Sequence, residues 1–135
     1  MKNILTYKLF ESEDQIVKAI HITTLKAAEI IKDSGFDPVA FLKWNYYSAL
    51  GHGGIYFYPE TTFGWRFAQR YAYAVASKSK EGIVAIIHVE LPWSIVKSNQ
   101  GNPKLTDEDG WFVETGDLKK VEILDVDAKR PGDMY

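Results

Sequence analysis

The stretch GIVAIIHVELP, residues 82–92, is apolar from Ile83 to Leu91 except for His88 and Glu90. A run of this length, rich in β-branched residues and bounded by Gly82 and Pro92, predicts a strand at the centre of a sheet. His88 and Glu90 fall on one face of that strand because side chains alternate. They are interpreted either as an acid–base pair or, as we prefer, as polar groups in an otherwise buried strand.

Shorter segments on both sides of this strand have the composition of further strands. They are Ala19–Thr23, Ile55–Tyr58, Trp93–Lys97, Gly110–Glu114 and Val121–Val126. Ile4–Phe10 is a candidate strand and Glu11–Lys18 a candidate short helix, while residues 98–109 hold Asn, Gln, Gly and Pro and predict a loop.

Helix signals come mostly before the central strand. Thr24 is a candidate N-cap for a helix over Leu25–Lys32 with Gly35 as its C-cap, and a second helix is predicted from Pro38 onward. A third helix begins after Thr61 or Thr62, and its apolar stripe, expected to face the core, contains Phe63, Phe67, Tyr71, Ala74 and Val75. Early helices and late strands predict an α+β fold, with helices on a mostly antiparallel sheet and one domain over residues 1–135.

Composition excludes several classes of site. The chain has no cysteine, which removes disulfides, thiolate zinc sites and cysteine nucleophiles, and three histidines offer little for a metal site, so we expect none. A formal charge of −2 argues against a protein dedicated to electrostatic binding of duplex nucleic acid. A local basic patch is still compatible with this net charge. The N-terminal segment lacks the features of a signal peptide, and no apolar run has the length of a membrane helix. We therefore expect a cytoplasmic protein without a membrane partner, or an effector delivered elsewhere.

Aromatic residues make up 14% of the chain and are concentrated in residues 41–73. Rings bury a large area each, so a ring-rich core is the simpler interpretation. A surface on which a flat ligand stacks is the alternative.

Two segments together resemble the ADP-ribosyltransferase superfamily, in the His-Tyr-acid branch that diphtheria toxin shares with the poly(ADP-ribose) polymerases. The first is Ile20-His21-Ile22-Thr23-Thr24, followed by a helix and Gly35-Phe36. The second is Gly53-Gly54-Ile55-Tyr56-Phe57, with Tyr71-Ala72 on the helix after it. The resemblance covers about residues 19–76 and implies a split of two small, mostly antiparallel sheets with NAD in the cleft between them.

The resemblance also implies roles for individual residues. His21 would hydrogen-bond the ribose next to nicotinamide, the main chain of Ile22 beside Thr23 would hold the carboxamide, and Gly54 would lead into Tyr56, which would stack on nicotinamide. Tyr71, or Phe63 or Phe67 on the same helix, would cover the other face of that ring. Arg66 and Arg70, one helical turn apart, are candidates for gripping the pyrophosphate, although a solvated helix face is an equal alternative.

The acid of the family belongs near the start of a late strand. Glu114 is our preferred candidate because it lies within a predicted strand just before a turn, with Asp109 and Glu108 as reserves. Ile22 departs from the family, which usually has glycine after the histidine, and this narrows the cleft.

The sequence therefore predicts a mono-ADP-ribosyltransferase that releases nicotinamide from NAD and transfers ADP-ribose to a protein, a nucleic acid or a small molecule. The catalytic residues would be His21, Tyr56 and Glu114. One alternative is a non-catalytic module of the same fold that binds a nucleotide or a protein. Others are an NAD-dependent enzyme similar to RNA 2′-phosphotransferases, and a small α+β protein with no NAD chemistry, in which His21 and Tyr56 are ordinary core and strand residues.

Overall fold

A computed structural model of the chain describes residues 15–36, 54–78, 82–97 and 110–134. Within them, five strands form one antiparallel sheet in the order β4-β2-β1-β3-β5. The strands are β1 Ile16–Thr23, β2 Gly54–Pro59, β3 Val84–Pro92, β4 Trp111–Glu114 and β5 Glu122–Lys129. The helices are α1 Leu25–Ser34 and α2 Thr62–Ala76, and short 3-10 turns occupy Trp93–Ile95, Thr115–Lys120 and Pro131–Asp133.

The apolar run that predicted a central strand forms β3, which pairs with β1 along its whole length and with β5 on its other side. Its alternate residues enter two separate cores, because Ile87 packs on the α1 face of the sheet and Ile86 on the α2 face. A strand covered on both faces has to be apolar at nearly every position, which explains the sequence of β3.

Both helices begin as their sequences predict. Thr24 accepts a hydrogen bond from the Ala27 N–H at 3.2 Å, and Thr61 accepts one from the Gly64 N–H at 3.1 Å. Gly35 ends α1 with a φ of 70°, a conformation that favours glycine over residues with a side chain. Its N–H donates to the Ile31 carbonyl.

The predicted buried stripe of α2 is wrong for Phe63, Tyr71 and Ala74, although Phe67 and Val75 are half-buried against the core. The helix buries the small residues Gly64, Ala68, Ala72 and Ala76, whereas Phe63 and Tyr71 are 59% and 47% exposed. A Cβ at residue 64 would lie 1.8 Å from the Pro59 carbonyl oxygen, so the helix reaches β2 only through residues without bulk. Close approach, rather than ring size, decides which face of α2 is buried.

Two other predicted elements are also wrong. Trp93–Lys97 is a 3-10 turn followed by a single bridge from Val96 to Val113, not a strand. Trp93 instead packs edge-on against Trp111, with ring centroids 5.2 Å apart. Residues 16–18 belong to β1 rather than to a helix, because Ile16 and Val17 pair with the end of β3. The candidate strand Ile4–Phe10, the helix from Pro38 and the loop 98–109 lie outside the described residues.

The resemblance implies two small sheets, and the strands instead join in one. Strand β2 connects the two parts of the sheet. Its first residues, Gly54–Phe57, pair with β4, and its last two, Tyr58 and Pro59, pair with β1. At the opposite edge, β5 carries a bulge at Leu124, since His88 pairs with Asp125 and Val89 with Ile123.

Candidate functional site

β1 and β2 separate in the middle of the sheet. Their ladder consists of Ala19↔Pro59 and Ile20↔Tyr58, although β1 continues to Thr23 against β3. Before Tyr58, β2 pairs with β4 instead. We call the region between residues 21–23 of β1 and residues 54–57 of β2 the strand gap.

Main-chain groups of Ile22 point into the strand gap. The Lys18 carbonyl accepts from the Glu60 N–H on the β2 side, and the Gln15 carbonyl accepts from the Trp93 N–H on the β3 side. Alternate residues of a strand direct their N–H and C=O to the same side, so Ile22 faces β2 as Lys18 does. The β1–β2 ladder ends before Ile22, and buried main-chain groups of this kind require a partner. The main-chain N–H and C=O of Ile22 therefore point from β1 toward β2 beyond the end of their ladder.

His21 bridges the strand gap with its side chain. Its Nδ1 lies 2.8 Å from the main-chain oxygen of Tyr56, so Nδ1 carries the proton and donates to that carbonyl. Burial lowers the pKa of His21 from 6.5 to about 4, and the hydrogen bond to Tyr56 opposes this shift. The ring is consequently neutral at pH 7, with Nε2 as an acceptor. Phe36 and Phe57 flank it at centroid distances of 5.8 and 5.4 Å.

Tyr56 and Glu114 share one face of the sheet. Tyr56 pairs with Phe112, their ring centroids 5.0 Å apart, and Gly54 pairs with Glu114. Tyr56 and Glu114 are thus diagonal neighbours, a relationship that places side chains roughly 7–8 Å apart. Both side chains are exposed, Tyr56 by 42%.

The structure brings His21 to the main chain of Tyr56 rather than to its ring. By alternation, His21 lies on the α1 face with Phe57, while Tyr56 and Glu114 lie on the α2 face. The three predicted catalytic side chains therefore lie on two opposite faces of the sheet, and Glu114 is separated from β1 by β2.

Thr23 and Gly54 occupy the outer end of the strand gap. Thr23 is buried and shares the α1 face with His21. A Cβ at Gly54 would lie 2.1 Å from the Val113 carbonyl oxygen and 2.7 Å from the Phe112 ring, so contact with β4 already requires glycine there. Asp109 and Glu108, the reserve acids, lie outside the described residues.

The predicted residues of α2 fall into two groups. Tyr71 lies beside Tyr58, with centroids 6.3 Å apart, and so belongs to the same face as Tyr56. Arg66 and Arg70 are exposed, each over a ring of its own helix, with Arg66 5.9 Å from the Phe63 centroid and Arg70 5.6 Å from that of Phe67. Both arginines lie on the exposed side of α2, whereas His21 lies on the α1 face of the sheet.

Sequence reasoning missed a second polar cluster on the α2 face. His88 Nδ1 lies 3.3 Å from a Glu60 carboxylate oxygen, and Nε2 lies 3.0 Å from one of Asp127. Trp65 covers the histidine at a centroid distance of 6.1 Å. The polar side chain of His88 in the apolar strand β3 was a signal, but nothing in the sequence connected it to Glu60 or Asp127.

Two further observations concern metal binding and membrane-spanning helices. Because Glu60 and Asp127 approach opposite nitrogens of His88, they do not converge on one ion, and the described residues hold no group of three or more candidate metal ligands. In the same ranges, no helix combines the length and apolar character needed to cross a membrane.

Comparison of the chain with protein-family models, with curated proteins and with solved structures gives no match.

Proposed function

We propose that the chain is a mono-ADP-ribosyltransferase, with the strand gap as the start of its NAD cleft. The observation that carries the proposal is the hydrogen bond from His21 Nδ1 to the Tyr56 carbonyl at the point where β1 and β2 separate. It holds the His21 imidazole in a single tautomer beside the main-chain groups of Ile22, which point into the strand gap.

In this proposal, NAD lies across the strand gap and meets residues from both faces of the sheet. Ile22 offers a main-chain donor and acceptor to the carboxamide, and His21 Nε2 accepts from a ribose hydroxyl. Tyr56 supplies a ring for nicotinamide, with Tyr71 the nearest residue of α2 to the same face. Arg66 and Arg70 are left out because their side chains lie on the outward side of α2.

The reaction breaks the bond between ribose C1′ and the nicotinamide nitrogen, and the electron pair leaves with nicotinamide. The acceptor forms the new bond to C1′ and releases a proton. Positive charge develops on the ribose in the transition state, as in glycoside cleavage, and a nearby carboxylate stabilises it. Glu114 has this role in the proposal, since it lies diagonally across from Tyr56.

The experiment is release of nicotinamide from NAD, measured by chromatography, beside calorimetric titration of NAD. Wild type is expected to bind and release, and Tyr56→Ala and Glu114→Gln are expected to lose release while remaining folded by circular dichroism. Matched controls are Tyr73→Ala, another exposed tyrosine, and Glu122→Gln on β5, which should retain activity. Absence of both binding and release in wild type would overturn the proposal.

One observation favours a second candidate, a non-catalytic nucleotide-binding module. His21 is only 6% exposed and packs between Phe36 and Phe57, as a structural histidine does. Titration showing NAD binding, with no nicotinamide released at any pH from 5 to 9 (an assay range), would favour the module over the enzyme.

A further inference from the structure

Four residues of β2 and β4 form a square on the α2 face of the sheet. Gly54 is opposite Glu114, and Tyr56 is opposite Phe112. Since alternate residues of a strand share a face, all four positions lie on the same side of the sheet. One diagonal of the square joins Tyr56 to Glu114 and the other joins Gly54 to Phe112, so the two diagonals cross.

The Phe112 side chain extends along its own diagonal. A Cβ at Gly54 would lie 2.7 Å from Phe112 Cζ, so the tip of the ring occupies the space that a side chain at residue 54 would take. Because the diagonals cross, the Phe112 ring lies between Tyr56 and Glu114. Glycine at position 54 is what allows this placement.

The same ring is in contact with Tyr56. The ring centroids are 5.0 Å apart and the ring planes are tilted by 54°, which is a favourable arrangement for an aromatic pair. A tyrosine side chain has a few staggered orientations about its first torsion, and a packed neighbour excludes those that would overlap with it. Half-buried Phe112 therefore restricts the direction of a Tyr56 ring that remains 42% exposed.

We propose that Phe112 is a positioning residue for nicotinamide, because it holds the Tyr56 ring in one orientation and keeps that ring apart from the Glu114 carboxylate. This role rests on the proposed function, in which Tyr56 contacts nicotinamide and Glu114 acts on the ribose. A ring that is fixed before NAD arrives loses little conformational freedom on binding. The nicotinamide end of NAD is therefore bound more tightly than it would be by a mobile tyrosine.

The first measurement needs no NAD. In protein with isotope-labelled tyrosine, NMR coupling constants report the first side-chain torsion of Tyr56, whose signal is assigned by its loss in Tyr56→Phe. Wild type is expected to hold one orientation. Phe112→Leu, which keeps an apolar side chain but removes the ring, is expected to average several. Phe112→Tyr should restore the single orientation, and Tyr73→Leu, at an exposed position of α2, is the control.

The second measurement compares calorimetric titrations of NAD and of ADP-ribose, which lacks nicotinamide, alongside the kinetics of nicotinamide release. Phe112→Leu should raise KM and the Kd for NAD about three- to tenfold, the range expected for one aromatic pair, while kcat and the Kd for ADP-ribose change less than about twofold. Phe112→Tyr and Tyr73→Leu should both behave as wild type does.

The role of Phe112 is overturned if Tyr56 averages its orientations in wild type, or if Phe112→Leu leaves the orientation of Tyr56 unchanged. Equal loss of affinity for NAD and ADP-ribose in that variant would show a general defect of the fold and would exclude positioning. Wild type that neither binds NAD nor releases nicotinamide overturns the proposed function itself, whereas turnover with an unchanged KM in Phe112→Leu overturns only the role of Phe112.

Discussion

His21 Nδ1 donates to the main-chain oxygen of Tyr56 across 2.8 Å, which places a side chain where the next rung of the β1–β2 ladder would be. The carbonyl of β2 is thereby satisfied without strand pairing. One histidine therefore permits the two strands to separate without leaving that acceptor unpaired in the interior.

This arrangement makes stability depend on pH through His21. The pKa is 6.5 in the unfolded chain and about 4 in the folded protein, so between these values the unfolded state binds more protons. The free energy of unfolding should rise from pH 4 to 6.5, with His21 contributing up to about 3 kcal/mol, and should lose this contribution as the pH falls. Urea denaturation at several pH values measures it.

His21→Asn is the control for that pH dependence, because an asparagine amide donates to the Tyr56 carbonyl without titrating. The variant should show a flatter profile between pH 4 and 6.5. A profile as steep as that of wild type would mean that other groups cause the dependence.

Gly64→Ala should destabilise the fold by about 1–3 kcal/mol, the usual cost of overpacking a close contact. The added Cβ would lie 1.8 Å from the Pro59 oxygen, so α2 has to move away from β2. Gly116→Ala, where a Cβ meets nothing within 4 Å, should be nearly neutral. The midpoints of urea denaturation compare the two, and equal effects would contradict the close packing of α2.

Thr61→Ala should cost about 1 kcal/mol, because the hydroxyl accepts from the Gly64 N–H at the start of α2. Thr61→Ser should recover most of the loss since it retains the oxygen. Thermal denaturation followed by circular dichroism measures both variants, and an Ala variant as stable as the Ser variant would exclude a capping role.

The hydrogen bond between His88 and Asp127 should contribute about 0.5–1.5 kcal/mol in a double-mutant cycle, as side-chain hydrogen bonds usually do. Variants His88→Gln and Asp127→Asn, singly and together, give the coupling energy from urea denaturation. The same cycle with Glu60→Gln should give a smaller value, because that contact is 3.3 Å rather than 3.0 Å. A larger coupling through Glu60 would contradict the geometry.

Local chemistry was sufficient to predict much of this fold. The run from Ile83 to Leu91 could only be buried on two sides, and the caps at Thr24, Thr61 and Gly35 follow from groups within a few residues. These features depend on neighbours in sequence, so one chain contains the information for them.

The orientation of α2 depended on a distant contact. Phe63, Phe67 and Tyr71 recur with the same four-residue spacing as Gly64, Ala68 and Ala72, so periodicity alone does not identify which series is buried. The carbonyl of Pro59 decides it, through an approach too close for a side chain at residue 64.

In the candidate site too, some features follow from sequence neighbours and others depend on distant contacts. The sequence singled out His21, Tyr56 and Ile22, but the role of the Tyr56 main chain became visible only with the register of β1 and β2. Asp127 was not connected to His88, because the contact depends on the register of β5 against β3, which places Asp127 opposite Ile86 and diagonal to His88.

The bulge at Leu124 also affects how readily β5 could pair with a strand of another molecule at high protein concentration. Among the strands in residues 15–36, 54–78, 82–97 and 110–134, β5 is the last of the sheet, and the outer side of such a strand can pair with a strand of another molecule. Acidic side chains along β5 and the extra residue at 124 oppose such addition by repulsion and by local distortion. The strand that supplies Asp127 to His88 thus also carries two features that disfavour pairing with a strand of another molecule.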